Sequence, residues 1–209
     1  MEPGRNPGTP FREIQRGLTG EILGVTPGPV GTPALQFNGK SSVVYPAAGP
    51  VGAVTRSGSV FAWIKVEDPT QFGTIVNRCE NKFEGPEDFG LYVHAGHLQC
   101  YINWELPSRP PIGYATAAVP AGKWFFGGYT WDESRVTFYA DGRKDNTIAL
   151  AKNTPLARGS KVVLGVSTPA GPGGMEYLIG LTGSVMIFNR TLSDPEVDRL
   201  HTLTLRRFR

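Results

Sequence analysis

Charge is scarce in this chain. Asp, Glu, Lys and Arg make up 19% of its 209 residues, and 21 basic against 18 acidic residues leave a net charge of +3. So small an excess gives no basic field of the kind a nucleic-acid surface needs. Cysteine is nearly absent, with only Cys79 and Cys100. In a meander these two stand on strands separated by a third, about 9–10 Å apart, which is beyond disulfide reach. Two free, buried thiols are expected, with no need of an oxidising compartment. No stretch approaches 18 apolar residues, so no membrane-spanning helix is expected. The opening Met1-Glu-Pro-Gly-Arg-Asn-Pro-Gly-Thr-Pro10 has no basic start followed by an apolar segment, and no secretory signal is read in it.

Catalytic signatures are missing as well. No Gly-x-Ser-x-Gly occurs. The Ala170-Gly-Pro-Gly-Gly174 cluster carries a proline that spoils a phosphate-cradling reading. The histidines are His94, His97 and His201. His94 and His97 flank a turn, with no carboxylate or thiol nearby to complete a metal set. The densest acidic stretch, Glu80 to Asp88, is broken by Gly85 and Pro86 and reads as a loop.

Glycine and proline are abundant instead, at 27 and 18 residues. That balance suits many short strands joined by tight turns. Residues 1–33 read as an N-terminal arm, because Pro and Gly recur too often there for a regular core element. Phe11, Ile14, Leu18, Ile22 and Leu23 are the arm residues apolar enough to dock on a surface. The folded body is expected over 34–203. Asn38-Gly39 signals a hairpin turn between Ala34–Asn38 and Ser42–Tyr45. In Ser57 to Val66, Val60, Ala62, Ile64 and Val66 alternate with Phe61, Trp63 and Lys65, so both faces carry bulk. That predicts a central strand covered on each side. Further strands follow at near-regular spacing, with hairpins around Ala95-Gly96 and Asp141-Gly142. The fold class is all-β, a two-sheet antiparallel sandwich with one short C-terminal helix.

The helix signal is local and specific. Ser193 stands at an N-cap position, Pro195 in the first turn, and Glu196 three residues after the cap. Leu192, Val197, Leu200 and Leu203 form an apolar stripe at helical spacing. Residues 204–209 then read as a basic tail in solvent.

Several segments together resemble the concanavalin A-like, laminin-G-type jelly rolls. Ala34-Leu-Gln-Phe-Asn-Gly39 is similar to their opening strand and turn, and Ser59-Val-Phe-Ala-Trp-Ile64 to their second signature strand. Trp124 to Tyr129 with Val136-Thr-Phe-Tyr-Ala-Asp-Gly142 resembles their W–strand–turn–strand–D-G hairpin. Gly180 to Asn189 and Leu192-Ser-Asp-Pro-Glu-Val197 resemble their closing strand and helix. The resemblance covers about residues 34–203 and implies a jelly roll. Calcium-binding members carry an acidic residue after the opening turn. This chain has Lys40-Ser41-Ser42 there, so no metal or other cofactor is expected; Asp132, Glu133 and Asp141 are the remaining calcium candidates. Glucanases of the superfamily carry Glu-x-Asp-x-Glu on one strand. That pattern is absent, and the chain is not expected to be an enzyme.

The fold hosts many functions, so function must come from a site. Most aromatics of the middle strands, from Phe61 and Trp63 to Tyr129 and Trp131, read as core between the sheets. Trp104, Glu105 and Arg109 stand in a Pro-rich loop. With Asn77, Arg78 and Asn103 they form the expected ligand-binding rim. The expected function is a non-catalytic binding or structural module. One reading is a component of a larger assembly such as a phage or virus particle, decorating or cementing a shell or contacting a host, with the arm as assembly device. Its partners would be other proteins or copies of itself, and its place a virion or other extracellular surface assembly. The other reading is a soluble carbohydrate-binding lectin-type domain. Neither a nucleic acid nor a membrane is an expected partner.

Overall fold

A computed structural model describes residues 11–12, 19–23, 26–29, 32–47, 54–79, 87–104, 113–150, 161–167 and 176–209. Fifteen strands and one helix lie within them. The strands are β1 (Phe11–Arg12), β2 (Thr19–Leu23), β3 (Thr26–Pro27), β4 (Leu35–Asn38), β5 (Ser42–Pro46), β6 (Gly58–Lys65), β7 (Gly73–Cys79) and β8 (Glu87–His94). Then come β9 (His97–Trp104), β10 (Gly113–Ala118), β11 (Phe125–Trp131), β12 (Arg135–Ala140), β13 (Arg143–Ala149), β14 (Lys161–Leu164) and β15 (Ile179–Phe188). The helix is α1 (Asp194–Leu205).

Two antiparallel sheets result. The larger runs β1-β2-β5-β14-β7-β8-β9-β10, the smaller β13-β12-β11-β6-β15-β4-β3. Their facing side chains make one core. Val60, Ala62, Ile64, Tyr129, Val136 and Phe138 come from the smaller sheet, and Ile75, Phe89, Leu91, Val93, Leu98 and Cys100 from the larger. Fully burying one apolar side chain of this size stabilises the fold by about 1.5–3 kcal/mol.

β6 is central, as its two bulky faces predict. Its even-numbered side chains enter the core, while Phe61 and Trp63 pack outward under α1 with Phe126, Tyr139, Val197 and Phe208. Glu196 Oε2 accepts the Ser193 backbone N–H at 2.8 Å. Arg190 clamps the same carboxylate from the strand end at 2.6 and 3.0 Å. The apolar stripe of α1 departs from the expected one at Leu203, which is 66% exposed. Phe208 takes that role, stacked 4.8 Å from Trp63. The basic tail is therefore docked through Phe208, while Arg206, Arg207 and Arg209 face solvent.

Two further expectations need correction. Asn38-Gly39 makes a turn but no hairpin: β4 pairs with β15 in one sheet and β5 with β14 in the other. The turn carries the chain across the sandwich. The arm is not devoid of strands either. β2 pairs with β5, with Glu21 opposite Val44, and β3 pairs with β4. Short edge strands tolerate Pro27 and the neighbouring glycines, because an edge position needs few ladder bonds. Of the five arm residues, Phe11 lies in β1 and Ile22 and Leu23 in β2; Ile14 and Leu18 lie outside the described residues. In β15 an irregularity between Thr182 and Val185 shifts the register, so Leu181 faces away from the core that Val185 and Ile187 join.

Candidate functional site

Only part of the expected rim lies within the described residues. Asn103 and Trp104 end β9, and Trp104 lies in register with Glu87 at the start of β8, beside Cys79 at the end of β7. The side chains of Asn103 and Trp104, and Glu105 and Arg109 altogether, lie outside the described residues. Asn77 and Arg78 are not rim residues. Both are buried within β7. Asn77 Nδ2 donates to the Val166 carbonyl at 3.1 Å. Arg78 donates to the Val54 carbonyl at 2.7 Å and pairs with Asp88. Burial pulls the Arg78 guanidinium pKa down, and the Asp88 charge opposes that pull. Strand alternation explains the placement: Arg78 is in register with Val162 and Phe89, both core residues. Cys79 and Cys100 are buried thiols outside any disulfide, on β7 and β9 with β8 between them. Burial raises the Cys100 thiol pKa.

The same alternation builds a second surface. Leu91, Val93, Leu98, Cys100 and Ala115 point into the core. Their neighbours Tyr92, His94, Gln99, Tyr101 and Tyr114 point away from it, because successive side chains alternate across a sheet. Thr74, Tyr92, Gln99 and Tyr114 lie in one register row across β7, β8, β9 and β10. Gly90 stands two residues before Tyr92. A Cβ there would collide with the Tyr92 ring, so the bare backbone lets that ring lie down on the sheet.

The rings are mutually ordered. Tyr92 meets Tyr101 edge-on at 5.1 Å and Phe72 at 5.3 Å. Phe72 lies 4.9 Å from His94, and His94 is 6.4 Å from Tyr114. Accessibility is graded. Tyr92 and Gln99 are 1% exposed, whereas Tyr114 is 38% exposed. Phe72, His94 and Tyr101 are half-buried between them. Gln99 Nε2 donates to the Tyr101 hydroxyl at 3.0 Å. Its other amide atom, Oε1, is buried without a hydrogen-bond partner among the described residues, and so is His94 Nδ1. A buried acceptor left unsatisfied costs about 1–3 kcal/mol.

One edge of this face is fixed by a strap. Glu176 N–H donates to the Ser167 carbonyl at 3.0 Å and Leu178 N–H to the Gly165 carbonyl at 2.9 Å. Thr74 Oγ1 donates to the Glu176 carbonyl at 2.8 Å, tying the strap to β7. Asn77 of the same strand holds the segment facing the strap, at Val166.

The remaining calcium candidates are already engaged. Asp141 Oδ1 accepts the Phe126 N–H, and Glu133 pairs with Arg56 at 2.7 Å. Asp132 is bonded to Ser134 and Arg135, which hold its pKa below the usual value against the opposing effect of burial. Among the described residues no three His, Cys, Asp or Glu side chains converge as a metal set. What the face offers is ring surface beside amide, hydroxyl and imidazole groups. That combination stacks on flat apolar patches of a ligand and bonds its hydroxyls. Sequence reasoning saw these aromatics but placed most of them between the sheets. The alternation of Leu91, Val93, Leu98 and Cys100 against Tyr92, His94, Gln99 and Tyr101 was the signal for the other side.

A family model described as the concanavalin A-like lectin/glucanases superfamily, Laminin_G_3, matches residues 37–198. No curated protein matches the chain in sequence. Among solved structures, the binding domain of botulinum neurotoxin DC in complex with rat synaptotagmin II is similar, with a TM-score of 0.69 and 15% identity over 90% of this chain. A structure concerned with botulinum neurotoxin type C and two ganglioside molecules matches with a TM-score of 0.69 and 13% identity, also over 90%. The Trypanosoma rangeli sialidase in complex with sialic acid matches with a TM-score of 0.66 and 16% identity over 97%. This chain spans 47% of each of those toxin chains and 32% of the sialidase. At such identities the likeness is one of fold.

Proposed function

Because this chain belongs to the concanavalin A-like lectin/glucanases superfamily, we propose that it is a non-catalytic binding module that holds glycan on the aromatic face of β8, β9 and β10. One observation carries the reading. The buried Gln99 Oε1 has no hydrogen-bond partner among the described residues and stands in a register row with the exposed Tyr114. A sugar hydroxyl donating to that oxygen satisfies it, while the apolar face of the ring rests on an aromatic side chain. The structures named above support the same class of ligand: one concerns gangliosides and one holds sialic acid. The non-catalytic part rests on the sequence, which lacks the Glu-x-Asp-x-Glu strand pattern of the superfamily's glucanases.

The test is binding to immobilised glycans, sialylated and neutral, by wild type, Tyr114→Ala and Gln99→Leu. Each variant is expected to lose about tenfold or more in affinity, the scale of one good polar or stacking contact. Thermal stability should hardly change. Wild-type binding by both variants overturns the assignment. The bound glycan should be recovered intact after incubation; hydrolysis would overturn the non-catalytic part.

A second reading is a structural component of a larger assembly such as a phage or virus particle. The observation favouring it is that β1 lies at the outer edge of the larger sheet. A strand of another chain would pair there.

A further inference from the structure

A cavity of about 430 Å³ opens on the other side of the sandwich, where the outer face of the smaller sheet meets the approach to α1. Its volume falls in the range of small-molecule sites, about 300–1,000 Å³. Thr130 of β11 and Thr137 of β12 line it and stand opposite each other in register. Thr137 Oγ1 shares a hydrogen bond of 3.1 Å with Thr147 Oγ1 on β13. In the next row Tyr139 is in register with Lys144. The Tyr139 hydroxyl donates to Asp194 Oδ1 at 2.7 Å, so a carboxylate from α1 closes one side of the cavity.

The two sides differ in charge. Arg135, Lys144 and Asp132 line the strand side, and Asp194 lines the helix side. Arg135 is partly neutralised, because its Nε lies 3.2 Å from Asp132. Among the described residues no carboxylate pairs with Lys144. The cavity therefore combines Lys144, an Arg135–Asp132 pair, hydroxyls that donate or accept, and across from them a carboxylate that only accepts. A ligand matching that order has a carboxylate at one end and several hydroxyls at the other.

We propose that this cavity binds a monosaccharide-sized polyhydroxylated carboxylate, such as a uronic acid unit, with its carboxylate on Lys144 and Arg135 and its hydroxyls on Thr137 and Asp194. The site is separate from the aromatic face, which belongs to the other sheet, and it stands or falls independently of it.

Amide chemical shifts of the full chain, titrated with glucuronate, glucose and acetate, test this. Glucuronate is expected to move the amides of Thr130, Thr137, Lys144 and Asp194 in a saturable way. Glucose and acetate should each bind about tenfold more weakly, the scale of one charge-assisted or bidentate contact. Lys144→Ala, an exposed position on an edge strand, should lower glucuronate affinity to the glucose level. Thr137→Val should weaken glucuronate and leave acetate unchanged. The proposal is overturned if glucuronate leaves these amides still, or if Lys144→Ala binds it as wild type does. Equal binding of acetate and glucuronate overturns it too. Shifts confined to Tyr92, Gln99 and Tyr114 overturn this site while leaving the aromatic-face reading standing.

Discussion

The Arg78 guanidinium lies 2.8 Å from the Asp88 carboxylate, and both side chains are almost wholly removed from water, at 2% and 4% exposure. Arg78 shares a sheet face with Val162 and Phe89, so the pair is built into the sandwich interior. Breaking a buried pair leaves one charge stranded, which costs about 3–5 kcal/mol. Asp88→Ala and Arg78→Ala are each expected to destabilise on that scale in urea unfolding. Replacing both, as Arg78→Met with Asp88→Leu, should recover most of the loss. A double variant as unstable as either single one would show that the charges are stabilising in themselves.

Gly128 faces a different constraint. It lies on β11 opposite Phe61 of β6, and a Cβ there would run into the Val60 carbonyl oxygen and the Phe61 backbone. Backbone atoms cannot rotate away, so the strands must separate. Gly128→Ala is expected to destabilise by at least the 1–3 kcal/mol typical of overpacking. A thermal midpoint equal to wild type would mean that β6 and β11 part more easily than this contact implies.

What could be read in advance was what neighbouring residues decide. The Ser193–Glu196 cap, the two-faced β6 and the turn at Asp141-Gly142 all rest on separations of a few residues. Asn38-Gly39 was legible as a turn, but instead of pairing with each other β4 and β5 reach β15 and β14, more than a hundred residues away. Arg78 was misplaced for another reason. Its partner sits across a strand pair, and a charged residue in a strand reads as exposed until that partner is known. Leu203 satisfied the helical period, yet Phe208, beyond the helix, fills the space on Trp63. For the candidate site, the aromatic content was visible, but the face that Tyr92, Gln99 and Tyr114 share emerges from the register of three strands.

The edge of the larger sheet at β10 is guarded by Asp145. Its carboxylate accepts the backbone N–H groups of Thr116 and Ala117, the latter at 3.1 Å, from β13 on the other sheet. An exposed strand edge otherwise recruits other chains. Asp145→Ala is expected to leave the core intact and to raise concentration-dependent association, read by light scattering. If the variant stays as monodisperse as wild type, the carboxylate is not what protects the edge.

Stability should fall off at both ends of the pH scale for separate reasons. Hydrogen bonds from Arg190 and Ser193 hold the Glu196 carboxyl at about 2, below its ordinary 4.5. Its contribution is therefore complete above pH 4.5 and lost as pH falls toward 2. Burial, helped by Asp194, pushes the Tyr139 hydroxyl up to about 12 from its ordinary 10. That contribution is complete below pH 10 and lost as pH rises through 12. Thermal midpoints of Glu196→Gln should converge on wild type between pH 4.5 and 2, and those of Tyr139→Phe between pH 10 and 12. A gap that stays constant across either window would remove that residue from the account.

The arm gives the last prediction. β2 covers the edge of β5, and β3 covers the edge of β4. Val43 and Val44 of β5 are 0% and 7% exposed, and Phe37 of β4 is 1% exposed. A chain lacking residues 1–33 keeps those core residues, so it should still fold, but with two uncovered edges. Lost ladder pairing lowers its thermal midpoint, and an apolar edge without its covering strand favours pairing between chains. Solution mass then separates the two functional readings. Pairing within the chain predicts a monomeric full-length protein and a truncated one that self-associates as concentration rises. The assembly reading predicts the reverse, an oligomer that the truncation reduces to monomers, because there the arm would reach a neighbour.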